Sequence, residues 1–186
     1  MNKKLFLWTA LLALPILACS VGARITPTAI KPAIARPPTA TQTELKVGDR
    51  GPAFTFTSFA GQKYSTADLV GKVLIINFWA SWAVPCASEA ATLQQAWETY
   101  QPGGHVVFLG IDYVDTEPEA RAFLAKFNVT YPAGPDPATR ISQAFHITGV
   151  PETYIIDRQG KLAYRQIGPF QSLQDLQNAV DPLLAK

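Results

Sequence analysis

The sequence predicts an α/β sandwich, a mixed central sheet with helices on both faces and an extra N-terminal β-hairpin. Three observations carry that expectation. Residues 72–79 (KVLIINFW) and 106–112 (VVFLGID) are nearly continuously apolar, as strands covered on both faces must be. Between them Ala90, Leu93, Trp97 and Tyr100 recur at intervals of three and four, the stripe of an amphipathic helix. Past position 150, two further strand-like runs flank a glycine turn.

In chain order, residues 54–64 with Gly61 as the turn suit a hairpin. The strand at 72–79 follows, and then the striped helix, with Pro85 placed for its first turn. A strand, a helix of this length and a second strand imply a parallel crossover. Thr116 suits an N-cap, with Glu117 and Glu119 where the helix dipole favours anions. That helix is expected to bury Ala120, Phe123 and Phe127. A shorter helix is expected over 137–145. Strands at 153–157 and 161–165 then turn about Arg158-Gln159-Gly160, and Leu173, Leu176, Val180 and Leu183 mark a closing helix.

Composition limits the function. The chain has 186 residues, 48% of them hydrophobic, enough for one domain with a real core. No apolar run reaches the roughly 18 residues of a membrane-spanning helix. The net charge of +2 conceals an asymmetry. Residues 1–44 hold five basic side chains against Glu44 alone, whereas the remainder holds eleven basic and thirteen acidic ones. A mildly acidic domain without a basic cluster argues against nucleic-acid binding.

The first 19 residues, MNKKLFLWTALLALPILAC, read as an export signal: two lysines, an apolar stretch and a small residue before the cut. Ile16-Leu17-Ala18-Cys19 resembles the bacterial lipobox, which implies lipidation of Cys19; the alternative is an uncleaved signal anchor. Either would tether an exported protein facing the periplasm or the cell exterior. Residues 20–44, with Pro27, Pro32, Pro37 and Pro38 among Thr and Ala, read as a linker. Residues 45–186 are then the folded domain.

The motif VLIINFWASW-x-x-P-C-x-x-E, followed about 60 residues later by GVPETYIID, resembles the thioredoxin superfamily. More narrowly, it is similar to the membrane-tethered, extracytoplasmic TlpA/ResA-like branch, which includes the cytochrome c maturation thioredoxins. The resemblance covers roughly residues 46–184, includes the N-terminal hairpin, and extends to Asn77, where classical thioredoxins place an aspartate. It implies a thioredoxin-like fold and partners that are protein or peptide thiols and disulfides, with apocytochrome c or another redox protein as candidates. No cofactor is implied.

A dithiol oxidoreductase needs two sulfurs. The first cysteine of Cys-x-x-Cys attacks a substrate disulfide as a thiolate, favoured by the helix N-terminus, and the second resolves the mixed disulfide. Here Ala83 occupies the attacking position and Cys86 the resolving one. The ordinary cycle cannot run within this chain. Three readings of Cys86 remain open: an inert buried thiol, a residual redox thiol, or a peroxiredoxin-like peroxidatic cysteine. Ala83, without a hydroxyl, and Trp79, where peroxiredoxins place a proline, argue against the last. A non-catalytic peptide-binding module is the further alternative.

The resemblance makes Pro151 the superfamily's cis-proline and leaves the Val150 backbone free to pair with an extended substrate. Glu152 follows as in the cytochrome-maturation relatives, where it would contact substrate or simply be a solvated carboxylate at a strand start. Trp82 is expected as a surface lid, Trp79 as core, and Glu89 as a first-turn partner of the helix dipole. Trp82, Pro85, Val150, Pro151 and Glu152 thus form the expected groove. His105 and His146 show no metal-ligand spacing with each other or with a cysteine.

Overall fold

The structure is a computed structural model and describes residues 44–185. The expected signal, Cys19 and the linker up to position 43 lie outside the described residues. Strands β1 (Thr55–Thr57) and β2 (Lys63–Ser65) pair antiparallel as the hairpin anticipated around Gly61, whose φ of +82° is accessible without a Cβ penalty. There follow β3 (Val73–Trp79), α1 (Val84–Tyr100), β4 (Val106–Asp112) and α2 (Glu117–Lys126). The chain continues through β5 (Ala133–Pro135), α3 (Arg140–Phe145), β6 (Glu152–Ile156), β7 (Leu162–Ile167) and α4 (Leu173–Leu184).

The main sheet has the order β5-β4-β3-β6-β7. β3 runs parallel to β4 and antiparallel to β6, so the sheet is mixed as expected. All seven residues of β3 are buried, which explains why its sequence shows no alternation: both faces are covered. On one face Leu74, Ile76 and Phe78 pack with Phe56, Ile141, Phe145 and Tyr154, beneath the hairpin and α3. On the other, Val73 and Ile75 meet Leu93 of α1 and Leu176 and Val180 of α4. Further along that face Trp79 meets Ala83, Cys86 and Ala90 together with Ala120 and Phe123 of α2.

Thr116 caps α2 as expected, in a full capping box with Glu119. Phe127 falls at the C-cap and is only partly buried, unlike Ala120 and Phe123. The helix expected over 137–145 divides. A 3-10 turn at Pro137–Thr139 is separated from α3 by left-handed backbone at Ala138 and Thr139. The cause is Asp136, whose carboxylate accepts the Ile141 and Ser142 N–H groups and the Ser142 hydroxyl, starting α3 afresh at Arg140. β5 carries no sequence signal. It is three residues containing Gly134 and Pro135, and it exists through its parallel pairing with Gly110–Asp112.

Gly134 also seats the hairpin. A Cβ there would lie 2.5 Å from the Thr57 carbonyl oxygen and 2.8 Å from the Ser58 Cα, both backbone atoms that cannot swing aside. Gly134→Ala is expected to destabilise the domain by about 1–3 kcal/mol, read as a lower denaturation midpoint in urea.

Candidate active site

The site forms where β3 ends and α1 begins. Ala83 is the N-cap residue (φ −88°, ψ 110°), and its methyl makes no capping hydrogen bond. Helix initiation rests instead on Pro85 in the first turn and on the Ala83 carbonyl, which accepts the Cys86 N–H at 3.0 Å. The one-turn offset then points Cys86 inward. Its side chain is 2% exposed and packs among Trp79, Ala80, Ala83 and Ala90, with half-buried Val150 against the same cluster. Burial pushes the Cys86 thiol up to about 12; a backbone hydrogen bond from Ala80 opposes this, and the Glu89 and Asp115 charges reinforce it.

Trp82 is 60% exposed at the mouth, its indole N–H donating to the Val114 carbonyl at 3.3 Å, while Trp79 is core. Val84 and Pro85 are exposed beside it. The Val150–Pro151 peptide bond is cis, and Pro151 itself is buried. The structure therefore brings Ala83, Cys86 and Val150 into one cluster, with Trp82 and Pro85 on its solvent side.

Two carboxylates depart from their expected settings. Glu89 is no first-turn dipole partner; it lies 1% exposed beneath α1, accepting from Asn77 Nδ2 at 2.8 Å and from the Phe170 N–H at 3.0 Å. Asn77 also donates to Thr153, so one cluster joins β3, β6, α1 and the approach to α4. Burial raises the Glu89 carboxyl to about 7, against the lowering by those two hydrogen bonds. Glu152 is neither solvated nor on the open groove: it too is 1% exposed. Its Oε1 accepts the Thr148 N–H, the Thr148 hydroxyl and the Gly149 N–H, and its Oε2 accepts from Tyr154 and Arg165. Burial alone would raise its pKa, but the bonds from Thr148, Tyr154 and Arg165 together hold it below the ordinary value. Glu152 thus fastens the loop in front of Pro151 instead of facing a partner. Arg165 also pairs with Glu44.

Sequence reading missed Asp112 and Asp115. Asp115 accepts the Ser81 N–H at 2.6 Å and the Ser81 hydroxyl at 2.8 Å, pinning the turn before Ala83. Asp112 is buried at the end of β4. Among the described residues, no group of three or more His, Cys, Asp or Glu side chains is arranged to hold a metal ion.

A mixed five-stranded sheet, an inward Cys86 in the first turn of α1 and a cis-proline loop beside it define a thioredoxin-like fold. The AhpC/TSA family model matches residues 47–165, and the chain belongs to that family, as a TlpA/ResA-like thioredoxin. The thiol:disulfide interchange protein HelX of Rhodobacter capsulatus is 33% identical to it, covering 80% of this chain and 82% of that one. The thiol-disulfide oxidoreductase ResA of Bacillus cereus is 28% identical, covering 67% and 72%. Among solved structures, a thioredoxin-family thiol:disulfide interchange protein from Chlorobium tepidum superposes with a TM-score of 0.66 at 28% identity, covering 74% of this chain and 97% of that one. The protein is therefore related to the thiol–disulfide oxidoreductases.

Two outcomes follow from the buried carboxyls. Because Glu89 titrates above the roughly 4.3 of an unfolded glutamate, the native state holds a proton that the unfolded state has lost. Its contribution to stability is therefore greatest below pH ~4.3 and falls as pH rises to about 7. Glu89→Gln should flatten the pH dependence of the unfolding free energy across that interval. Arg165→Met, which leaves the Glu152 charge without its guanidinium, should cost about 3–5 kcal/mol in denaturant unfolding at pH 7.

Proposed function

We propose that the protein is an exported, membrane-tethered member of the thiol–disulfide oxidoreductase lineage that has lost ordinary dithiol turnover. The observation that carries this reading is the pairing of Ala83 at the helix mouth with a Cys86 thiol that is buried and pushed up to about 12. With that value the thiolate fraction at pH 7 is on the order of 10⁻⁵, so the remaining sulfur is neither placed nor ionised to attack a disulfide. The basic and apolar start of the chain, its lipobox-like Cys19 and the proline-rich linker support export and tethering. Among the described residues no helix is long and apolar enough to cross a membrane. Protein thiols or disulfides are the partner class that the relatives suggest, and the motif resemblance adds apocytochrome c or another redox protein as a candidate. They would be met at Trp82, Pro85, Val150 and Pro151. A peroxidatic Cys86 fits less well, since the same burial that suppresses its thiolate also keeps peroxide away.

The decisive measurement is reduction of insulin disulfides by the wild-type chain and by Ala83→Cys. The wild type should show no rate above the uncatalysed background. Ala83→Cys restores a thiol at the helix N-cap and should raise the rate by at least about 100-fold. Robust turnover by the wild type would overturn the proposal.

A further inference from the structure

At the end of the sheet where β3 begins, away from Trp79 and Cys86, lies a cavity of about 270 Å³. It opens between the segment leading into β1, the 3-10 turn Thr66–Leu69 and the edge of the β6–β7 turn. Its floor is aliphatic, formed by Leu74 and Ile76 of β3 and Ile156 of β6. Leu69 and Val70 add a wall, and Val70, 64% exposed, carries the apolar surface out to the mouth.

Backbone hydrogen bonds hold this frame on three sides. The Gly51 N–H donates to the Gly160 carbonyl at 2.9 Å, the Gly71 N–H to the Arg158 carbonyl at 3.0 Å, and the Thr66 N–H to the Phe54 carbonyl at 3.2 Å. Gly51 brings its backbone down onto the floor, where a Cβ would stand 3.0 Å from Ile156 Cδ1. The cavity is therefore pre-formed, and a ligand entering it need not order its walls.

Two cations line the same cavity, Arg50 and Lys72. The Arg50 Nη1 lies 3.8 Å from where a Cβ of Gly160 would stand, which sets the guanidinium against the cavity's edge. Lys72 is only half-exposed. Among the described residues neither side chain makes a hydrogen bond or an ion pair. A half-buried cation without a counter-ion is costly, and an anion would relieve it. The one acid in the lining does not do so: Asp157 Oδ1 accepts the Gln159 and Lys161 N–H groups, which ties that carboxylate to its own turn. The lining keeps an excess of positive charge over an aliphatic floor.

We propose that this cavity binds a single-chain aliphatic carboxylate, its tail on Leu74, Ile76 and Ile156 and its head paired with Arg50 and Lys72. The lining itself selects that class. It contains no aromatic side chain on which a nucleobase or another planar ring could stack, so the apolar part of the ligand is a saturated chain. Its volume falls just short of the roughly 300–1,000 Å³ of small-molecule sites, which leaves room for one short chain and not for the two of a phospholipid. The head is anionic because both unsatisfied lining cations are donors with no acceptor of their own.

The site lies apart from the thiol and the cis-proline loop, so the inference is independent of whether the chain turns over disulfides. Its test is titration of the full chain with octanoate below the concentration at which it forms micelles, followed by amide NMR. The N–H signals of Gly51, Val70, Gly71 and Lys72 should move saturably with one molecule bound per chain, while the Trp82 indole N–H stays in place. Octan-1-ol, with the same tail and no charge, should bind at least about tenfold more weakly. Arg50→Gln combined with Lys72→Met should weaken octanoate by at least about tenfold and leave octan-1-ol unchanged. Neither substitution removes a bonded partner, and the same spectra report whether the fold is intact. Octanoate that fails to saturate these signals, or that moves the Trp82 groove instead, would overturn the proposal. So would equal affinity for the double variant, or octyltrimethylammonium binding as tightly as octanoate, the result of an aliphatic floor acting alone.

Discussion

The buried Glu89 carboxyl holds the molecule's working end together. A carboxyl removed from water must find donors, and this one finds them on β3 through Asn77 and on the backbone before α4 through Phe170. Those two bonds fix the rotation of α1 about its axis. With Glu89 turned towards the sheet, Cys86, three residues earlier and almost one turn back, must face the same interior, and Trp82 and Val84 are left outside. The buried setting of Cys86 and the open setting of Trp82 therefore follow from one side chain's need for partners.

The fold was largely legible because its central strands are covered on both faces. Residues 72–79 and 106–112 could be read from apolar content alone, and their observed bounds differ by one residue at most. β5 was not legible, since a three-residue strand containing Gly and Pro carries no pattern and is created by its neighbour. The break ahead of α3 was hidden for a similar reason. It depends on Asp136 bonding residues five and six positions on, a choice that local periodicity does not report.

The site was legible in its identities and not in its environments. Ala83, Cys86 and the cis bond before Pro151 stand where the motifs put them. Glu89 and Glu152 misled because a glutamate reads as solvated until its partners are known, and those partners are mostly backbone groups: the N–H of Phe170, 81 residues away, and those of Thr148 and Gly149. Asp112 gave no signal for the same reason. It ends a strand in an ordinary-looking way, and only the fold buries it with an Oδ1 that meets no donor.

For three acids buried in the domain, the direction in which each is shifted follows from its burial and the donors it receives. Glu152 collects N–H and O–H bonds and a guanidinium, enough to outweigh burial, and stays charged. Glu89 receives two neutral donors, which do not outweigh it, and titrates near neutrality. Asp112 has an Oδ1 without a donor, and burial first pushes its carboxyl up to about 8. Position 83, where a dithiol pair would carry its first sulfur, holds Ala83, and the sulfur beside it is the buried Cys86.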